Sequence, residues 1–157
     1  MTPAIKMAEK ANIAFSVHEY EHDPGADSYG LEAATALRVD DMRVFKTLLV
    51  SLQGGTASLA VGIVPVACQL DLKAFAAAAG AKKANMADPK QAERVTGYVV
   101  GGISPLGQKR RLPTFVDASA AGFKTVFVSA GRRGLEIELA PRDLLVLCHA
   151  ILVNIKR

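Results

Sequence analysis

The chain contains no tryptophan, and its aromatic residues are three tyrosines and six phenylalanines. Its core must therefore be filled by Ala, Val, Leu and Ile rather than by large rings. Cysteine is scarce: Cys68 and Cys148 are the only two, far apart and in no CxxC pair. That excludes a thiolate zinc knuckle or a CxxC redox motif and makes a disulfide framework unexpected. No apolar run approaches the roughly 20 residues that cross a bilayer. The longest, Leu59 to Cys68, contains Pro65. The N-terminus lacks a basic stretch followed by an apolar one, so no secretory signal is expected and the expected compartment is a reducing cytoplasm. Also missing are the Gly-Lys-Ser/Thr of a phosphate-binding loop and the Gly-x-Ser-x-Gly of a nucleophile elbow.

What is present is a globular composition: 157 residues, half of them hydrophobic and 22% charged. That length suits one domain, residues 1–157, with no internal linker or repeat. The net charge of +4 is unevenly spread. Residues 1–80 hold 6 Lys/Arg against 9 Asp/Glu, and residues 81–157 hold 13 against 6. A basic C-terminal half suits an anionic partner, or a solvated surface.

Thr2 and Pro3 open a helix that Asn12 can end. Ile13 to Tyr20 alternates as a strand, and Ser28 caps a short helix ending near Leu37. Val44 to Leu52 and Ala57 to Val64 form a hairpin around Gly54-Gly55. Asp71 caps an Ala-rich helix closed by Gly80. Asp88, Pro89 and Gln91 start another, closed by Gly97. Tyr98 to Val100 reads as a short strand leading into GGISPLG. Strands follow at Thr114–Val116, Lys124–Ser129 and Leu135–Leu139, then a helix from Pro141 to about His149 and a last strand at Ile151–Ile155. Without a regular strand–helix rhythm, this predicts an α+β fold: a curved, mixed and largely antiparallel sheet flanked by short helices.

His18-Glu19-Tyr20-Glu21-His22 matches H-E-x-x-H, but zinc binding needs both histidines on one helix face. The flanks alternate as a strand, which separates them by about 13 Å, and Asp-Pro-Gly follows. They read instead as polar residues at an exposed strand end. Lys46 shares its strand face with Val44, Leu48 and Val50. Lysine is rarely buried without a partner, so it either marks a site or runs its amine out to water. In GGISPLG, Gly101 and Gly102 permit close backbone approach and Pro105 fixes the loop. It either presents N–H groups to a ligand or is a tight structural turn. Lys109, Arg110 and Arg111 follow it, where a phosphate backbone would fit. SAGRRG, residues 129–134, brings Arg132 and Arg133 into a glycine-lined bend that grips an anion or simply turns a hairpin. Glu136 or Glu138 is placed to reach Lys46. Cys68 and Cys148 have no base at hand and read as small buried hydrophobes.

Taken together and in order, MTPAI, HEYEHDP, FKTLLV, TGYVVGGISPLGQKRR and VFVSAGRRGLEIELAP resemble the YbaK family over nearly the whole chain. These are free-standing aminoacyl-tRNA deacylases related to the prolyl-tRNA synthetase editing domain. The resemblance implies trans-editing of mischarged Cys-tRNA(Pro), with Cys-tRNA(Cys) as a further substrate. It implies an aminoacylated tRNA 3′ end and prolyl-tRNA synthetase as partners, a cytoplasmic location, and no cofactor or metal. The family's essential lysine falls on Lys46 and its GxxxP loop on Gly101 to Pro105, and the tRNA contacts are expected in the basic C-terminal half, at Lys109, Arg110, Arg111, Arg132 and Arg133. Its pocket positions fall on Tyr20, Tyr29, Thr47, Ser129 and Glu136. Tyr29 stands where phenylalanine is usual, and Glu136 where relatives often carry aspartate. The implied chemistry is attack by the substrate's own thiol on its ester, which needs no protein nucleophile. The alternatives are a deacylase of the same fold for Ala-tRNA(Pro), or a non-catalytic tRNA- or synthetase-binding module.

Overall fold

The computed structural model describes residues 1–25 and 28–157. Thr2 accepts the Ile5 N–H and Pro3 occupies the first turn of α1 (Pro3–Lys10). β1 (Phe15–Glu19) follows, then α2 (Tyr29–Leu37), N-capped by Ser28. β2 (Phe45–Gln53) and β3 (Leu59–Pro65) form the expected antiparallel hairpin. Asp71 and Asp88 cap α3 (Leu72–Ala78) and α4 (Pro89–Thr96). Between them runs β4 (Lys83–Met86). The chain closes with β5 (Thr114–Asp117), β6 (Val126–Arg132), β7 (Leu135–Leu139), α5 (Pro141–Cys148) and β8 (Ile151–Val153).

β3 is buried along its whole length, as an unbroken LAVGIVP run requires of a strand covered on both faces. It lies at the centre of a five-stranded mixed sheet ordered β4-β2-β3-β5-β8. Val61 and Ile63 face one core with Phe45, Leu49, Val116 and Ile137. Ala60 and Val64 face the other with Val50, Phe75 and Phe115. Gly62 leaves room for the Phe75 ring, which a Cβ there would meet at 3.0 Å. A second, antiparallel sheet is ordered β1-β7-β6. A bridge between Val44 and Phe127 links the two sheets. Arg43 ties that link: its Nε donates to the Thr125 carbonyl at 2.8 Å, its Nη2 reaches Glu138 at 3.1 Å, and it lies over the Phe127 ring.

Three local readings need correction. Tyr98 to Val100 is a loop, not a strand: Gly97 leaves α4 with φ 83°, and Gly102 N–H turns back to the Val99 carbonyl. β4 escaped the sequence because KANM is only four residues long, too short for its alternation of Ala84 and Met86 with Lys83 and Asn85 to stand out, and its pairing is supplied by β2. The last strand stops at Val153, because Ile155 and Lys156 donate their N–H groups to Asp117 instead.

Asp117 is buried and also accepts the Ser119 N–H. Burial pushes its carboxyl up, but the donors of Ser119, Ile155 and Lys156 outweigh this and hold it below the ordinary value. A carboxyl lowered by folding adds stability that is complete above its unfolded value and is lost as pH falls through the folded one. Asp117→Asn should therefore destabilise the protein at pH 7 by about 1–3 kcal/mol. Its gap from wild type in melting temperature should close in acid. A gap constant down to pH 2 would show that the charge contributes nothing.

Candidate functional site

β4 pairs with β2 only from Val50 to Gln53. The stretch from Phe45 to Leu49 is thus left without a strand on that edge, and its pairing toward β6 is the Val44–Phe127 bridge. A pocket of about 380 Å³ lies there. Lys46, Thr47, Leu48 and Leu49 line it from β2, Ser129 from β6 and Glu136 from β7. Tyr20, Tyr29 and Gly30 line it from β1's end and the start of α2, and Met86, Ala87, Ala92, Gly101 and Ile103 complete it. Gly30 lets α2 sit directly on Val66, which a Cβ would meet at 2.2 Å.

Seven of the nine residues proposed for catalysis and substrate binding line this one pocket: Lys46, Tyr20, Tyr29, Thr47, Gly101, Ser129 and Glu136. Gly102 and Pro105 do not. Gly102 is buried with its Cβ direction against the Arg132 backbone. Pro105 is buried and its carbonyl accepts the Cys148 thiol. They shape the loop from beneath. Tyr98, whose hydroxyl donates to the Leu106 carbonyl at 2.6 Å, holds the same loop.

Lys46 is half-buried on the strand face read from the sequence. Among the described residues, no carboxylate lies within ion-pair distance of it. Burial pulls its ammonium below the ordinary lysine value, and Cys68 offsets this in part. The expected contact with Glu136 or Glu138 is absent among the described residues: Glu138 is taken by His18 and Arg43. Burial pushes the Glu136 carboxyl up to about 8. Tyr20 beside it is raised by burial first and Glu136's charge second. The Thr47 hydroxyl is buried and, among the described residues, has no hydrogen-bond partner. An unbonded buried hydroxyl costs about 1–3 kcal/mol unless a ligand or water meets it.

The five basic candidates separate. Lys109, Arg110, Arg111 and Arg132 are exposed. Arg111 faces the His149 ring at 2.9 Å, and Arg132 lies 3.7 Å from Glu19. Arg133 is half-buried, with its guanidinium 3.9 Å from the centre of the Tyr29 ring. The histidines are not a loose polar end: His18, in β1, bonds Glu138 at 2.9 Å, and His22 bonds Glu32 at 2.8 Å. Cys148 is held by Pro105, and burial pushes its thiol up to about 12. Sequence reasoning missed Met86 and Ala87, because it missed β4. It also missed Glu93, whose carboxylate accepts the Val100 N–H. A lone acid on a helix turn carries no signal in one dimension.

The family model described as the aminoacyl-tRNA editing domain matches residues 23–147. The chain is 38% identical, over 94% of its length and 88% of the relative's, to the Enterococcus faecalis protein named "Putative Cys-tRNA(Pro)/Cys-tRNA(Cys) deacylase EbsC". In fold it matches the crystal structure of "a putative trans-editing enzyme for prolyl tRNA synthetase", with TM-score 0.83, 23% identity and coverage of 100% and 99% of the two chains. It also matches the hypothetical protein APE2540, with TM-score 0.86 and 22% identity over 99% of this chain and all of that one.

Glu136 sets a pH signature for the pocket. An acid raised from 4.5 to about 8 keeps its proton in the fold, so stability is full below the unfolded value and drains away as pH rises toward the folded one. Glu136→Gln cannot lose a proton. Its melting temperature should gain on wild type between pH 5 and pH 9. Parallel curves over that interval would place Glu136 in contact with solvent or a cation.

Proposed function

The chain belongs to the aminoacyl-tRNA editing domain family, and we propose from that membership and from the pocket that it is a trans-editing deacylase of Cys-tRNA(Pro), acting beside prolyl-tRNA synthetase in the cytoplasm as one editing domain over residues 1–157. Cys-tRNA(Cys), named for its Enterococcus relative, is the second substrate to try. The observation that carries the reading is the pairing of an uncompensated cation, Lys46, with the unbonded Thr47 hydroxyl in a pocket large enough for an aminoacyl group.

The protein's own thiols are poor nucleophile candidates. Cys148 is protonated and bonded to Pro105, and Cys68 is not among the pocket-lining residues. The substrate supplies a better one. Its cysteine sulfur attacks its own ester carbonyl, an S–C bond forms, and the C–O bond to the terminal ribose breaks. The thiol proton ends on the ribose oxygen, and a cyclic thiolactone leaves. Such an intramolecular step needs orientation above all. Lys46 is placed to offset charge on the departing oxygen, and the Gly101 N–H to bond the carbonyl. Thr47, Tyr20, Tyr29, Ser129 and Glu136 shape the space around the aminoacyl group. No metal or cofactor takes part in this scheme. The exposed Lys109, Arg110 and Arg111 are suited to tRNA phosphates.

Lys46→Ala should remove deacylation of Cys-tRNA(Pro) while leaving the fold intact, since it relieves a desolvated charge. Turnover by a folded Lys46→Ala protein at the wild-type rate would overturn its role.

Serine and cysteine are too alike in size for sieving, but the thiol ionises far more readily. Cys-tRNA should accordingly be cleaved much faster than Ser-tRNA, and S-methylated Cys-tRNA should persist. Equal rates for the two would mean direct attack by water.

Neutralising Lys109, Arg110 and Arg111 together should raise KM and flatten its salt dependence, because fewer counterions are released. An unchanged salt slope would put the RNA elsewhere.

A further inference from the structure

Arg133 was read from the sequence as a cation for RNA, but its contacts all turn inward. One face lies on the Tyr29 ring, 3.9 Å from the centroid. Nη2 donates to the Val100 carbonyl at 2.9 Å, and Nε is buried against Gly101. A Cβ on Gly101 would sit 2.4 Å from that Nε and 2.7 Å from the Tyr29 ring. On the other side of the same residue, the Val100 N–H donates to Glu93 Oε2 at 2.8 Å. Val99 to Gly102 closes a turn, with Gly101 at φ 94°.

A trans peptide is planar, so its C=O and N–H point in opposite directions. With the Val100 carbonyl drawn to Arg133, the Gly101 N–H of the same peptide is turned away from the guanidinium. Gly101 lines the pocket, and among the described residues its N–H has no partner.

We propose that Arg133 and Glu93 are positioning residues: Arg133 grips the Val100 carbonyl, in the Val100–Gly101 peptide, and Glu93 the Val100 N–H, in the peptide before it, and holding both sides of Val100 keeps the Gly101 N–H presented to the aminoacyl carbonyl. This rests on the deacylase reading above. Lysine cannot replace Arg133 in this role, because it lacks both the planar face for Tyr29 and the fixed fork for Val100. Glutamine can replace Glu93, because its amide oxygen still accepts the Val100 N–H.

The test is steady-state deacylation of Cys-tRNA(Pro) by Arg133→Lys, Arg133→Met, Glu93→Ala and Glu93→Gln, with the Gly101 amide followed by 15N–1H correlation spectra. Both Arg133 variants and Glu93→Ala should lose about tenfold or more in kcat with little change in KM, as misplaced catalytic geometry does. The Gly101 resonance should move, and Glu93→Gln should restore most of the rate. If Arg133→Lys retains wild-type kcat while Arg133→Met raises KM and weakens the salt dependence, Arg133 is an RNA contact and the proposal falls. It falls equally if the Gly101 amide is unmoved in folded Arg133→Met or Glu93→Ala. Should an Arg133 variant fail to fold, the Glu93 pair decides. Should wild type cleave no mischarged tRNA, the deacylase reading fails, and the Gly101 spectra still judge the clamp.

Discussion

A strand edge carries N–H and C=O groups that need a neighbouring strand, another partner or water. β2 leaves such an edge from Phe45 onward, closed at Leu49 by the Ala87 N–H, because β4 pairs with it only from Val50 and the bridge to β6 is made at Val44. The remaining gap is where a pocket can exist without breaking the sheet. The same strand is anchored on its other side by seven paired residues of β3, itself buried throughout. The pocket wall is thus one strand of a hairpin whose other strand is buried throughout. That suits a site whose proposed chemistry depends on holding a substrate folded on itself.

The electrostatics follow from the same enclosure. Lys46 and Glu136 both line the pocket and do not neutralise one another. Lys46 has no counter-ion among the described residues, and Glu136, buried deeper, keeps its proton near neutral pH. Had they met, the pocket would hold a satisfied ion pair with little use for a ligand's charge. Kept apart, they offer a cation and a neutral acid, with the Thr47 hydroxyl as an unused hydrogen-bonding group. Two residues along the same face of β7, Glu138 is saturated by His18, Arg43 and Thr125. Alternate carboxylates of one strand thus serve opposite purposes, one tying sheets together and one facing the pocket.

Much of this was legible in one dimension. Caps at Thr2, Ser28, Asp71 and Asp88 fixed the helix starts, because a side-chain oxygen bonding a backbone N–H is a local event. The alternation in FKTLLV placed Lys46 on an apolar face. The family strings then gathered the pocket residues from five distant segments. What escaped was non-local. β4 is a strand because β2 pairs it, despite being only four residues long. Tyr98 to Val100 has strand-like residues, yet the Gly97 and Gly101 conformations turn it into a loop. Arg132 and Arg133 are identical letters, and only folding sends one to solvent and the other onto Tyr29.

The link at Val44 and Phe127, knotted by Arg43, gives the molecule a fulcrum. Ser129 lies two residues beyond it on β6, so the lever arm from knot to pocket wall is only about 7 Å. An arm that short turns any small rotation of one sheet against the other into a still smaller change of gape. The spacing between β2 and β6 beside the pocket is therefore set close to where Arg43, Thr125 and Glu138 meet. Redesign for a bulkier aminoacyl group would have to begin at that knot, because enlarging the walls alone would leave the spacing between the sheets as it was.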